Sequence, residues 1–302
     1  MPGPTSQEHP KRHHTVARLQ QSGFCNEHDQ VLCVPLPGGR SFLQNINDAT
    51  VIGQFNRVTR DGEDSYALEY LLSDLETDCA PAWKRARDPR QWPLSASDRR
   101  AVATLIAAQH LRTMRSRAQI LNTHNLLLEL AEKFGLPYEA QGEPNLPLEH
   151  ARLINSALPQ ARDVLVNRSW MLFVFKRKAL AFSDSPVVPV PGVDSDWRTP
   201  AGLFTEGGVL VPLARRVALV VGAPGTSPSV DAMVEGTTKR ATDLNSLISA
   251  NAHRFLYHHP EDDPLRGISL PEPGGNAEVM YEVMTHAQMR QHLERTSAAG
   301  QQ

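Results

Sequence analysis

Two adjacent histidines, His13 and His14, stand behind Lys11 and Arg12 near the start of the chain. Adjacent side chains project to different sides in both helix and strand, so one metal ion rarely takes both. One imidazole would then point into a site as ligand or base while the backbone holds the other. The plain alternative is a solvated basic segment. Asp184, in "AFSDSPVVPV", is a second candidate. A carboxylate directly after an apolar strand sits on rigid backbone, where functional groups are common. Asp and Ser before Pro are also ordinary turn formers.

Arg112, Arg115 and Arg117 form a basic patch, and Gln109 lies three residues before Arg112, on the same helix face. Such an arginine could grip a phosphate or carboxylate bidentately, or pair along a salt-bridged face. The stretch "HHPEDD" (258–263) mixes imidazole and carboxylate, a composition that could hold a divalent metal and is more often solvated. The loop "GAPGTSPS" (222–229) lacks the GxxxxGK[ST] pattern of a phosphate loop and reads as surface. GxSxG is absent, and no Ser or Cys nucleophile motif occurs.

Elements must position these groups. The first ten residues are polar and read as disordered. "QVLCVPLPGGRSFLQNI" reads as strand, Pro-Gly-Gly turn and return strand. "SYALEYLLSDLETDCAPAWKRA" is a helix with Leu68, Leu71, Leu72 and Leu75 at helical spacing and Glu69, Asp74 and Glu76 facing away; Pro81 should kink or end it. From Ser97 to Phe134 the pattern predicts one long central helix, capped by Ser95 or Ser97, closed at Gly135, and broken, if anywhere, at Asn122 to Asn125. A second helical stretch, "LPLEHARLINSALPQARDVLVNR", follows, kinked at Pro159. "SWMLFVF", the basic turn "KRK" and "ALAFSD" predict a buried hairpin of Trp170–Phe175 with Ala179–Phe182. "GVLVPLARRVALVVG" predicts two more strands, and "TTKRATDLNSLISANAHRFLYHH" a helix entering a strand. "MTHAQMRQHLERTS" reads as a short amphipathic helix with a frayed end.

The expected fold class is therefore α+β: a helix-rich middle, a small N-terminal hairpin and a β-rich C-terminal half. The expected organisation is a disordered 1–10, one domain over 11–285, and a terminal helix and tail over 286–302.

Net charge is −2 over 302 residues, which argues against avid non-specific nucleic-acid binding. Cys25, Cys33 and Cys79 are sparse and odd in number, so no disulfide framework is expected. With no apolar leader and no apolar run of membrane length, a soluble cytoplasmic protein without membrane contact is expected.

The order of "HHTVARLQQSGF", "ALEYLLSDLETDCAPAWKR", "IAAQHLRT", "RSWMLFVF…LAFSDSPVV", "GVLVPLARRVAL" and "LNSLISANAHRFLY" resembles an uncharacterised bacterial family, domain of unknown function 4238. His13, His14, Val16 and Phe24 match its opening motif, Gln109, Arg112 and Thr113 its helix element. Trp170, Ser183, Asp184, Pro186 and Val187 match its strand pair, Pro212 and Leu213 its next strand, and Asn245 its late helix. Ala17 stands where the family has Pro, Ser185 where it has Asn, and Ala214 where it has Ser. The resemblance implies candidate positions without a reaction. It groups His13, His14 and Asp184 as catalytic candidates with Arg112, Gln109 and Asn245 as ligand-binding ones.

Two functions follow. One is hydrolysis of a phosphate ester or phosphodiester, with water as nucleophile and Arg112 on the anionic transition state. The other is a non-catalytic binding or regulatory protein in which the same residues form a structural polar network. Metal and cofactor are unknown at this level, and the ligand is a small molecule or nucleic acid of unknown kind.

Overall fold

A computed structural model describes residues 9–135, 143–190, 207–222 and 231–274. Its elements follow the expected α+β order. Near the N-terminus are β1 (Arg12–His14), α1 (Arg18–Gln21), β2 (Gln30–Pro35), β3 (Phe42–Asn45), β4 (Val51–Gly53), β5 (Val58–Arg60) and β6 (Glu63–Ser65). The helical middle holds α2 (Ala67–Ala86), α3 (Ala96–Leu111), α4 (Met114–Phe134) and α5 (Leu146–Val166). The remainder holds β7 (Trp170–Phe175), β8 (Phe182–Ser183), β9 (Val188–Pro189), β10 (Val209–Ala214), β11 (Val217–Val221), β12 (Ala232–Gly236), α6 (Thr238–Asn251) and β13 (Phe255–His258).

A five-stranded sheet, ordered β12-β7-β11-β10-β9, divides the apolar core. Alternation decides which residues face which layer. Trp170, Leu172, Val209, Val211, Leu213 and Leu219 pack on one side against Trp83 of α2, Val102 and Ile106 of α3, and Leu165 of α5. Phe175, Leu210 and Ala218 pack on the other side against α6 and a four-stranded sheet, β3-β2-β13-β8. Both faces are covered, which is why "VLVPLA" and "VALVV" are apolar nearly throughout.

Two expectations need correction, the central helix and the hairpin after Trp170. The long central helix is two helices, and its break falls at Arg112–Thr113 rather than Asn122 to Asn125. Thr113 Oγ1 caps α4 by accepting from Ser116 N at 3.1 Å, and Ser116 Oγ donates to His110 O at 2.8 Å. Of the two outcomes expected at Pro81, an end is excluded, since α2 continues to Ala86; Pro159 lies inside α5, as expected, and that helix continues to Val166.

The segment from Trp170 to Phe182 is not a hairpin. β7 pairs antiparallel with β11 and parallel with β12, whereas β8 pairs with β13 in the other sheet. The chain leaves one sheet after Phe175 and joins the other at Phe182. Between them, the backbone N–H groups of Phe175 and Leu180 donate to Arg216 and Arg215.

The β2–β3 and β10–β11 pairs and the α6-to-β13 passage occur where expected. Among the described residues no helix is long and apolar enough to cross a membrane. Residues 1–8, the terminal amphipathic segment and nearly all of "GAPGTSPS" lie outside the described residues.

Candidate functional site

β1 pairs with β4, placing His13 opposite Ile52 and His14 opposite Val51. Because side chains alternate along a strand, His13 turns inward and is fully buried, whereas His14 turns to the other side and stays half-buried. His13 spends both ring nitrogens on the backbone: Nδ1 accepts from Asn56 N at 2.7 Å and Nε2 donates to Pro10 O at 2.8 Å. Glu69 lies 3.8 Å from Nδ1, beyond hydrogen-bond reach.

His14 Nε2 donates to Ile46 O at 3.2 Å, which leaves its proton on Nε2 and the Nδ1 lone pair without a hydrogen bond among the described residues. Burial pushes this imidazole below its ordinary pKa. The Ile46 carbonyl opposes that shift, Arg112 adds to it, Glu76 opposes it, and Arg18 adds to it.

The Gln109 and Arg112 pair secures this N-terminal segment. Gln109 Oε1 accepts from Ala17 N at 3.2 Å, and its Nε2 donates to Gln20 Oε1 at 2.9 Å; Gln20 Nε2 passes the contact on to Pro212 O at 3.0 Å. Arg112 donates to His14 O and to Glu76 Oε1, each at 2.5 Å, and is only 3% exposed. Gly23 allows the segment to seat on β10: a Cβ there would stand 2.5 Å from Leu213 O. The histidine pair and the Gln-x-x-Arg element therefore do meet, but chiefly as a clasp.

His14 and Arg112 also line a pocket of about 530 Å³, with Arg18, Glu69, Ser73 and Glu76 among its other walls. The sequence reading placed Glu69 and Glu76 on the outward face of α2 and passed over Arg18. Their spacing carried a signal: Glu69, Ser73 and Glu76 stand at i, i+4 and i+7, one polar stripe of a helix.

Asp184 is held by a different set of partners. Oδ1 accepts from His253 N at 2.8 Å, and Oδ2 accepts from Arg254 N at 2.8 Å and Phe255 N at 3.2 Å. None of its hydrogen bonds goes to His13, His14 or Arg112. Burial pushes its carboxyl above the usual range, against the pull of those amides. The arginine whose charge it feels is Arg115, which donates to Asn251 Oδ1 at 2.6 Å. Asn245 belongs to the same part of the molecule: Oδ1 accepts from Ala181 N at 3.0 Å, and Nδ2 donates to Ala179 O and Pro264 O.

The expected constellation thus divides in two, with His13, His14, Gln109 and Arg112 at one place and Asp184 and Asn245 at another. The three arginines of the basic patch diverge as well. Arg117 lies over the Phe55 ring at 3.6 Å and meets His150 Nδ1 at 3.0 Å.

The "HHPEDD" segment is not simply solvated, because Arg215 pairs with Asp262 and approaches Glu261. Among the described residues no group of three or more His, Cys, Asp or Glu could hold a metal ion. Cys33 and Cys79 are unpaired and buried, and burial raises their thiols to about 12 and about 11, so neither is a ready nucleophile.

Fold and site together define an α+β protein whose buried polar side chains tie distant chain segments together, with one polar pocket left over the clasp. The chain belongs to the family described as protein of unknown function (DUF4238), whose profile matches residues 12–262. No curated protein and no solved structure matches the chain.

Proposed function

We propose that this protein is a non-catalytic binding or regulatory protein of the cytoplasm, in which the signature residues form a structural polar network. The observation that carries this reading is that the signature residues spend nearly all their polar atoms inside the protein. His13, Gln109, Asp184 and Asn245 each direct their polar atoms to backbone or side-chain partners. Arg112 directs both terminal nitrogens to Glu76 and the His14 carbonyl; its Nε has no partner among the described residues but is shut off from solvent, where no ligand reaches it. A general base needs a free lone pair for its substrate, and an anion clamp needs free N–H groups. The three cysteines, none of them in a disulfide, suit a reducing compartment.

A second reading, hydrolysis of a phosphate ester, keeps one observation in its favour: the His14 Nδ1 lone pair in a polar pocket. One experiment separates the two. The wild type, Glu76→Gln and His14→Ala are assayed on a panel of phosphodiesters and nucleotides with and without divalent metals, and melted in parallel. The network reading expects no turnover by the wild type. It also expects a loss of about 2–3 kcal/mol in Glu76→Gln, where the buried Arg112 charge loses its counter-ion. Turnover by the wild type that vanishes in a stably folded His14→Ala would transfer the conclusion to hydrolysis.

A further inference from the structure

We propose that the pocket over His14 binds a small zwitterion, a molecule with an ammonium group at one end and a carboxylate or similar anion at the other. This ligand class rests on the binding-protein reading and deepens it. The volume, about 530 Å³, lies within the ordinary span of small-molecule sites.

The class follows from the charges that remain after internal pairing. Arg112 and Glu76 neutralise each other. Glu69 meets only the neutral Asn56 amide, at 2.7 Å, and His13 beside it already has Nδ1 occupied. Asp29, on the same lining, meets only the Cys25 thiol. Arg18 is exposed and has no ion pair or hydrogen bond from its guanidinium among the described residues. On the lining itself two carboxylates and one guanidinium are thus left without counter-ions; Arg87, behind α1, directs its guanidinium to Ser22 Oγ and Leu19 O.

On this lining a phosphate would find one free cation against two carboxylates, and a simple diamine would leave Arg18 unmatched, so each single-sign ligand meets a like charge. A zwitterion answers both signs. Glu69 and Arg18 stand on different elements, while Asp29 lies beside the end of α1, where Cys25 Sγ meets both Ser22 O and Asp29 Oδ1. α2 brings the Glu69, Ser73 and Glu76 stripe, and α1 brings Arg18 with Ser22 one turn on. His14 lies within the electrostatic reach of Arg18, Glu76 and Arg112, and its Nδ1 lone pair suits an N–H donor.

The test uses the full chain in titration calorimetry, with a set of L-amino acids as zwitterions and putrescine, acetate and inorganic phosphate as single-sign probes. The expected result is binding of at least one amino acid at micromolar to sub-millimolar concentration, with each single-sign probe weaker by about tenfold or more. Glu69→Gln and Arg18→Ala should each weaken that amino acid by about tenfold, and Arg18→Ala should leave putrescine unchanged. Arg18 is exposed, so its variant folds and keeps the test open even if Glu69→Gln does not. Phosphate binding tighter than any amino acid overturns the proposal, as does the absence of heat with every amino acid, or binding indifferent to both substitutions. Phosphodiester turnover would overturn the binding-protein reading instead, and it is read in a separate assay.

Discussion

The turn at Asp184 and the pocket at His14 use the same kinds of residue to opposite ends. At Asp184 one half-buried carboxylate gathers three successive backbone amides, those of His253, Arg254 and Phe255, so it fixes the path of the chain into β13. At His14 the imidazole, Glu69 and Glu76 are half-buried while Arg18 and Asp29 are exposed, the imidazole keeps a lone pair, and two carboxylates and an arginine lack counter-ions. Both regions would draw attention as a Asp, His and Arg cluster in sequence. What separates them is how much hydrogen-bonding capacity the protein itself consumes, since buried polar groups are normally satisfied and the exceptions ask for a ligand.

The largest effect should fall on the saturated side. Asp184→Ala removes the acceptor from three amides at once, those of half-buried His253 and Phe255 and of exposed Arg254, and each hydrogen bond lost costs about 1–1.5 kcal/mol. The expected total is about 3–5 kcal/mol, seen as a fall of roughly 10 °C in the thermal midpoint. His14→Ala should cost about 1 kcal/mol or less, because it gives up one 3.2 Å hydrogen bond at a half-buried position. Equal losses in the two variants would erase the distinction between lock and pocket.

An intermediate effect concerns pH, and its source is a second saturated cluster. His150 is fully buried, donates to Leu111 O at 2.7 Å and faces Arg117. Burial is the main cause that lowers its pKa to about 4; the Leu111 carbonyl opposes the shift and the Arg117 charge adds to it. The unfolded chain therefore takes up the proton first as pH falls. The stabilisation from a neutral His150 is complete above about 6.5 and is lost between there and about 4, up to about 3 kcal/mol in all. Asp184 acts with the opposite sign, because its raised carboxyl holds a proton in the fold at a pH where the unfolded chain has released it. Denaturant midpoints measured from pH 7 to 4 should accordingly fall less in His150→Gln than in the wild type. Parallel curves would refute the assignment.

The sequence was most legible where contacts are local. "GVLVPLARRVALVVG" shows its strands as two apolar runs around two arginines, and β10 and β11 are indeed neighbours. "SWMLFVFKRKALAFSD" invited the same reading and failed, because its second strand is claimed by β13 some 70 residues further on. The helix break was written in the sequence too. Thr113 and Ser116 are an N-cap pair, whereas the asparagines at 122 and 125 only resemble a break.

Site residues were legible as types, not as partners. Arg112 finds Glu76 across 36 positions, and Asp184 finds its amides across 69 to 71. Such choices are made by packing of whole layers, which no local spacing encodes. The Glu69, Ser73, Glu76 stripe is the one part of the pocket that helical periodicity alone could have exposed.

The smallest expected effect tests the pocket from its own side. Arg18 opens α1, is exposed, and has no partner for its guanidinium among the described residues. Removing it gives up no hydrogen bond and buries no orphaned charge, so Arg18→Ala should shift stability by no more than about 0.5 kcal/mol. A residue placed for the fold should resist loss, and one placed for a ligand should not. Urea unfolding of wild type and variant at neutral pH settles the matter. A loss of about 2 kcal/mol or more would mean that Arg18 belongs to the clasp with Arg112, and the division between lock and pocket would have to be redrawn around α1.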